Sequence, residues 1–319
     1  MKFRSLLFLA LMALVFSCKP IHLFRPEADV YLRLKIVLHE EEVLDEGDEV
    51  VKMPEQVLVY FYDAETHEKV AEDLLPPEGG FVDIPAGTYD IIVYGLGCDY
   101  TKVDGVITRG TVRAYTEETG VQVRVTRVTD PFENPNQSIN YEPDYLFVGK
   151  AEQVVVPVRS EEERTIVIDI VLRSIVERYT LVIKHLNGAE HLSSMQAYIT
   201  GLAPAKYLWD GRFPNTQPVA VSYPVRLQAV SGEFHTPFHI FGRFTGPGNE
   251  SYLDLIATDT AGNKFLWVFN VTDQFDNPDN TRHLIIVDEQ MDIPDNPGDV
   301  GGFIPEVDEW GTIIIPINL

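Results

Sequence analysis

The chain has 319 residues, 45% of them hydrophobic, with 49 acidic side chains against 25 basic ones and a formal net charge of −24. An acidic excess of that size leaves no basic surface to displace phosphate counterions, which argues against nucleic acid as a partner, and it repels anionic lipid headgroups, so the body should stand off a bilayer. The length suits two domains on the ordinary scale of roughly 100–200 residues each.

At the amino terminus, Lys2 and Arg4 supply positive charge and residues 6–16 form an unbroken apolar run. The run suits the h-region of a secretory signal and falls well short of the ~20 apolar residues that span a bilayer. Val15-Phe16-Ser17-Cys18 follows and resembles a bacterial lipobox, in which a small residue precedes a cysteine that is diacylglycerated before cleavage. Residues 1–17 are therefore predicted to be a signal peptide, Cys18 the lipidated first residue of the mature chain, and 18–27 a tether. The alternative is an ordinary signal peptide that happens to contain a cysteine. Several acyl chains, each contributing ~0.8 kcal/mol per buried CH₂, make such an anchor effectively permanent. Once Cys18 is lipidated only Cys98 remains, and no intramolecular disulfide is expected. Cys98 lies in the turn Gly95-Leu96-Gly97-Cys98-Asp99 with no histidine nearby in sequence, which suits a small buried side chain better than a nucleophile.

Beyond the tether the dominant signal is period-two alternation of β-branched and aromatic residues, divided by Gly, Pro, Asn and Asp. Val30, Leu32, Leu34, Ile36 and Leu38 share one face of a half-buried strand, with Arg33, Lys35 and His39 on the other. Val57, Val59 and Phe61 repeat the pattern, as do Val121, Val123 and Val125, and then Ile166, Ile168, Ile170 and Leu172. Further strands are predicted over residues 179–184, 196–200, 224–230, 234–244, 252–258, 264–271 and 283–287. Thr260-Ala261-Gly262-Asn263 between two of them is a compact hairpin signal. No stretch carries apolar residues at helical spacing with convincing caps. Short strands at regular spacing predict an all-β chain of two tandem antiparallel β-sandwiches, at 28–173 and 174–287. The first should pass into the second almost without a linker, so the two should be held stiffly. Residues 288–310, rich in Asp, Pro and Gly, are predicted to be a linker, and 311–319 a terminal strand.

Three stretches in this order resemble the fimbrillin-like lipoproteins of Bacteroidales, the group that holds the anchor and accessory subunits of type V pili. They are Phe81-Val82-Asp83-Ile84-Pro85-Ala86-Gly87-Thr88-Tyr89-Asp90-Ile91-Ile92-Val93-Tyr94, Leu172-Arg173-Ser174-Ile175-Val176-Glu177-Arg178-Tyr179-Thr180-Leu181-Val182-Ile183, and Ala197-Tyr198-Ile199-Thr200-Gly201-Leu202-Ala203. In the first, Pro85 and Gly87 reverse the chain so that Tyr89, Ile91 and Val93 face a core. The resemblance implies two transthyretin-like sandwiches, outer-membrane attachment and a fimbrial or adhesive role. Residues 19–25 lack the acidic cluster that often follows the lipidated cysteine in surface-exported lipoproteins of this phylum, which leaves the side of the membrane open. Display at the cell surface is the expectation.

The sequence holds no phosphate-binding glycine loop, nucleophile elbow, HExxH or CxxC, so neither an enzyme nor a cofactor is expected. His235 and His239 share one strand face about 13 Å apart at ~3.4 Å per residue, too far for joint metal ligation. Asp273, Asp276 and Asp279 share an acidic loop that lacks the glycine and terminal glutamate of an EF-hand, and a solvated turn accounts for it. Phe234, Phe238, Phe241, Phe244, Trp267 and Phe269 fall at strand spacing and suit core packing. Tyr207 and Trp209, in a predicted loop, are the candidates for an exposed contact. In the last segment Ile313, Ile315, Ile317 and Leu319 share one face, as in a strand that fills a hydrophobic groove, and Pro316 disfavours a fully paired central position. That strand either folds back as an edge of the second sandwich or, as in the pili that the chain resembles, completes a neighbouring subunit. The expected function is thus a structural or adhesive fimbrial-type subunit, held to the membrane by its lipid. The alternative is a glycan- or ligand-binding surface lipoprotein accessory to a nutrient importer.

Overall fold

The structure, a computed structural model, describes residues 32–40, 54–120, 123–125, 138–157, 165–227, 229–245, 248–294, 306–307 and 313–315. Cys18, Ile317 and Leu319 lie outside the described residues. The described chain is nearly all β. Its strands run β1 (Leu32–Glu40), β2 (Val57–Asp63), β3 (Lys69–Leu75), β4 (Gly79–Ile84), β5 (Gly87–Gly95), β6 (Thr101–Asp104), β7 (Arg113–Thr116), β8 (Val123–Val125), β9 (Ile139–Tyr141), β10 (Phe147–Val156) and β11 (Ile166–Ser174). After two residues come β12 (Glu177–Asn187), β13 (Leu192–Leu202), β14 (Ala205–Tyr207), β15 (Val219–Pro224), β16 (Ala229–Val230), β17 (Glu233–Ile240), β18 (Tyr252–Asp259) and β19 (Lys264–Asn270). A single-turn helix, Thr272–Asp276, leads to β20 (Leu284–Asp292), with β21 (Glu306–Val307) and β22 (Ile313–Ile315) at the end.

The first sandwich is one seven-stranded sheet folded at a corner, in the order β3-β2-β5-β10-β11-β1-β4. At the corner β10 and β11 pair through only Phe147↔Ser174 and Val148↔Arg173. Gly149 sits there because an added Cβ would lie 2.4 Å from Ile170 Cγ2. Alternation then assigns the faces of β2 and β5. Val57, Val59, Phe61, Tyr89, Ile91 and Val93 point into the sandwich core with Phe147, Ile170 and Leu172. Tyr89 also ties its own turn, donating from its hydroxyl to the Pro85 carbonyl at 2.9 Å.

The second sandwich stacks β16-β17-β12-β20 on β19-β18-β13-β15-β9. Leu181, Ile183, Phe238, Leu253, Leu255 and Ile285 form the middle of its core. The predicted hairpin joins β18 to β19, with Gly262 at φ 89 and the Asp259 carboxylate accepting from the Ala261 and Asn263 amides at 2.9 and 2.8 Å. Gly201, at φ 79, occupies a register shift in β13, where a Cβ would meet the Glu250 carbonyl at 2.7 Å. Pairing is mostly antiparallel. Parallel neighbours occur at β1–β11, β12–β20, β9–β15 and β8–β22, directions that alternation along one strand does not encode.

Three boundaries depart from the sequence reading. The strand predicted at 224–230 lies earlier, as β15, and ends at Pro224, which has no amide to continue a ladder. The strand predicted at 234–244 stops at Ile240, because Gly242 at φ 136 turns the chain. The composition shift at Asp288 does not end the second sandwich: β20 runs on to Asp292, and Met291 and Ile293 are buried in its core. Asp288, Glu289 and Gln290 are the exposed stretch of that strand, and Asp288 accepts from Lys184 at 2.9 Å.

Candidate functional site

The two sandwiches are joined by more than the short connection between β11 and β12. A three-stranded sheet, β14-β7-β6, adds a strand from the second half of the chain to two from the first, with Ala205↔Tyr115, Lys206↔Ala114 and Tyr207↔Arg113 in register. In exchange β9 leaves the first half and pairs in parallel with β15 through Ile139, Asn140 and Tyr141. Ile139 covers Tyr198, Ala220 and Ile256 on the outer face of that sheet. Each half thus closes part of the other.

Between them lies a shared layer made by the second face of β2 and β5. Tyr60, Tyr62, Ile92 and Tyr94 pack there with Val112, Ala114, Ala203, Leu208 and Phe241. The Tyr60 and Tyr94 hydroxyls meet at 3.2 Å, and the Tyr62 hydroxyl donates to the Val106 carbonyl at 3.3 Å. Burial pushes the phenols of Tyr62 and Tyr94 well above the usual tyrosine range. On the same face of β5 the fully buried Asp90 accepts from Arg109, and from the Gln153 amide at 2.9 Å. Gln153, at φ 52, lies in the register shift of β10 that aims this amide at Asp90. The Arg109 guanidinium in turn lies over the Trp209 ring at 4.2 Å, and Lys150 donates to the Trp209 carbonyl at 2.5 Å.

Beside this layer a cleft of about 1060 Å³ opens between the halves. One wall is the turn 95–100 and segment 141–145; the other is the outer face of β13, β15 and β18. Tyr100 and Tyr141 stack at its mouth, ring centroids 4.8 Å apart and planes 20° apart, and remain 48% and 38% exposed. Asp144 fixes the backbone of Tyr100, accepting from the Tyr100 and Thr101 amides at 2.6 and 2.9 Å. Glu142 accepts from the His239 amide at 2.8 Å and meets His239 Nδ1 at the same distance, which secures the segment that follows Tyr141.

The structure places the sequence candidates as follows. Tyr207 and Trp209 are half-buried in the junction, Tyr207 in β14 and Trp209 against Arg109, so the contact they make is with the first half of their own chain. Their Pro- and Asp-flanked segment reads as an open loop only because the strand that pairs with it is about ninety residues away. Cys98 packs against the shared layer, and its thiol donates to the Tyr145 carbonyl at 3.4 Å. His235 lies beside Glu233, and His239 beside Glu142. Asp276 receives Arg243, and among the described residues no three His, Cys, Asp or Glu side chains come together to hold a metal ion. Backbone pairing places Ile313–Ile315 parallel to Val123–Val125 and antiparallel to β21, rather than on an edge of the second sandwich. Sequence reasoning missed the Tyr100–Tyr141 pair, because nothing local relates two tyrosines 41 positions apart.

Fold and junction define the class: an all-β protein whose two sandwiches are fused across a shared sheet. Residues 42–221 match the family described as a domain of unknown function, DUF5119; the match spans more than half of the chain, which belongs to that family. The chain is similar to the proposed fimbrium anchoring subunit Fim4B of Bacteroides ovatus, 23% identical over 84% of this chain and 86% of that protein. A proposed adhesin from Bacteroides ovatus, solved by crystallography, shares the fold with a TM-score of 0.58 at 20% identity, covering 84% of this chain and 94% of that one. The fimbrial anchor protein Mfa2 from Porphyromonas gingivalis aligns with a TM-score of 0.49 at 14% identity over 80% of this chain and 88% of its own.

Proposed function

We propose that this chain is a non-catalytic structural and adhesive subunit of a fimbrium, held in the outer membrane by acyl chains on Cys18 and displayed at the cell surface. The observation that carries the reading is the similarity to a proposed fimbrium anchoring subunit along most of both chains. The junction suits the task. An anchor must pass a pull on its far end to the lipid, and strands exchanged between halves load backbone ladders rather than a flexible linker. Residues 18–27 serve as the tether and 288–310 include the link to the terminal strand. That segment, whose sequence alternates the large apolar residues Ile313, Ile315, Ile317 and Leu319, is the one offered to a neighbouring subunit. The three-residue ladder of β22 with β8 gives it few backbone bonds to lose on exchange.

The test is a chain lacking residues 311–319, expressed in place of the native one. It should remain folded and membrane-bound but fail to recover its partner subunits. If the chain unfolds instead, the strand belongs to its own fold. Metabolic labelling with a fatty-acid analogue should mark the wild type and spare Cys18→Ala; equal label in both would end the lipoprotein reading.

A further inference from the structure

We infer that the cleft between the sandwiches is a binding site for a neutral oligosaccharide, with Tyr100 and Tyr141 as its stacking platform. Three observations converge. The tyrosines are exposed although they stack on each other, so each keeps an open ring surface at the cleft mouth. The negatively polarised face of an aromatic ring attracts the C–H bonds of a pyranose, whose hydroxyl groups stay free to hydrogen-bond around the rim. Both rings are also set in advance. Asp144 pins the backbone at Tyr100, while Tyr141 is in register with Ser222 and its amide donates to the Glu117 carbonyl at 3.1 Å. A ligand therefore need not order them, which removes a cost of binding.

The second observation is the opposite wall. Ser194, Gln196, Ser222 and Thr258 line the cleft with hydroxyl and amide side chains from the outer face of three neighbouring strands, Gln196 Nε2 donating to Ser222 Oγ at 2.8 Å. Such groups match the alternating donors and acceptors of a sugar. Because this wall is a sheet face and not a sheet edge, an added peptide strand would find no ladder there to extend.

The third is charge. The chain carries 49 acidic against 25 basic side chains, yet the cleft is lined by Glu55, Asp99, Glu142 and Asp144 against Arg178, Arg226 and Lys264. A near balance inside so acidic a body favours neither an anion nor a cation. The cleft exceeds the usual ~300–1,000 Å³ of a small-molecule pocket, giving room for several rings. Because one tyrosine is carried by the first half and the other by a strand paired with the second, the platform exists only while the halves are docked.

The experiment uses the full mature chain on an array of neutral gluco-, manno-, xylo- and galacto-oligosaccharides of about six residues, printed beside sialylated and sulfated ones. Capture of neutral glycans is expected, weakened at least tenfold by Tyr100→Ala or Tyr141→Ala and retained by Tyr100→Phe. Since both rings are exposed, these variants should melt as the wild type does. The inference is overturned if no neutral glycan is captured, if capture is confined to anionic glycans, or if neither alanine variant weakens it. Incorporation into a fimbrium should be unchanged in all three variants, so the outcome is independent of the proposed assembly role.

Discussion

In the second sandwich Leu181, Ile183, Phe238, Leu253 and Ile285 meet across two sheets in a mainly apolar core, with Thr236 and Tyr223 buried beside them. In the junction three tyrosines, a buried aspartate, an arginine and a half-buried tryptophan close a layer rich in polar groups. The core is held by area, which is non-directional and requires only that the sheets stack. The junction is held by groups that must find particular partners, and these fix how one half is turned against the other. Its ladders add the same constraint, since a one-residue slip of β14 on β7 would turn every side chain of β14 to the other face while β7 stays held by β6.

The largest effect should come from the core. Phe238→Ala removes a fully buried ring that stacks on Tyr223 at 4.7 Å, and should cost about 3–5 kcal/mol in denaturant unfolding of the mature chain. A loss below about 1 kcal/mol would mean that the sandwich repacks freely, and the contrast with the junction would fail.

A smaller loss of a different kind is expected from Asp90→Ala. It strips Arg109 of its carboxylate and leaves the Gln153 amide without its acceptor, at a cost of about 3 kcal/mol. Hydrogen exchange should report it first in β7 and β14, with the amides of β13 and β18 still protected. Equal loss of protection throughout would show that junction and core open together.

The smallest effect is set by pH. Tyr62 and Tyr94 hold their protons more tightly when buried than the ~10 of a free phenol. The folded state therefore binds more protons than the unfolded one above that value, and stability falls as pH rises. The stability is fully present below about pH 10 and is lost above it. Tyr62→Phe should flatten the decline measured by thermal melts from pH 9 to 11; an unchanged slope would remove Tyr62 from the account.

Much of the fold could be read from the chain because its strands obey alternation. Val57, Val59 and Phe61, and Tyr89, Ile91 and Val93, point where the pattern puts them. What alternation hides is the second face. Tyr60, Tyr62, Ile92 and Tyr94 are as buried as their neighbours, so β2 and β5 carry apolar residues on both sides, a sign that the first sandwich is itself covered. The exchange of β9 and β14 was not legible, since three-residue strands carry no period. The cleft was illegible for the same reason that Tyr207 and Trp209 looked open: the partners of both arrive from the other half. Asp288 misled through composition alone, because an exposed strand edge and a linker draw on the same polar residues.

The central claim is that this chain works as a fimbrial subunit at a membrane. The most direct measurement is crosslinking of intact cells, affinity recovery of the full-length chain from the outer membrane, and mass spectrometry of what is joined to it. The account predicts fimbrial stalk subunits, with crosslinks concentrated in residues 288–319. Recovery of nutrient-importer subunits in their place, or of the chain alone, would contradict it.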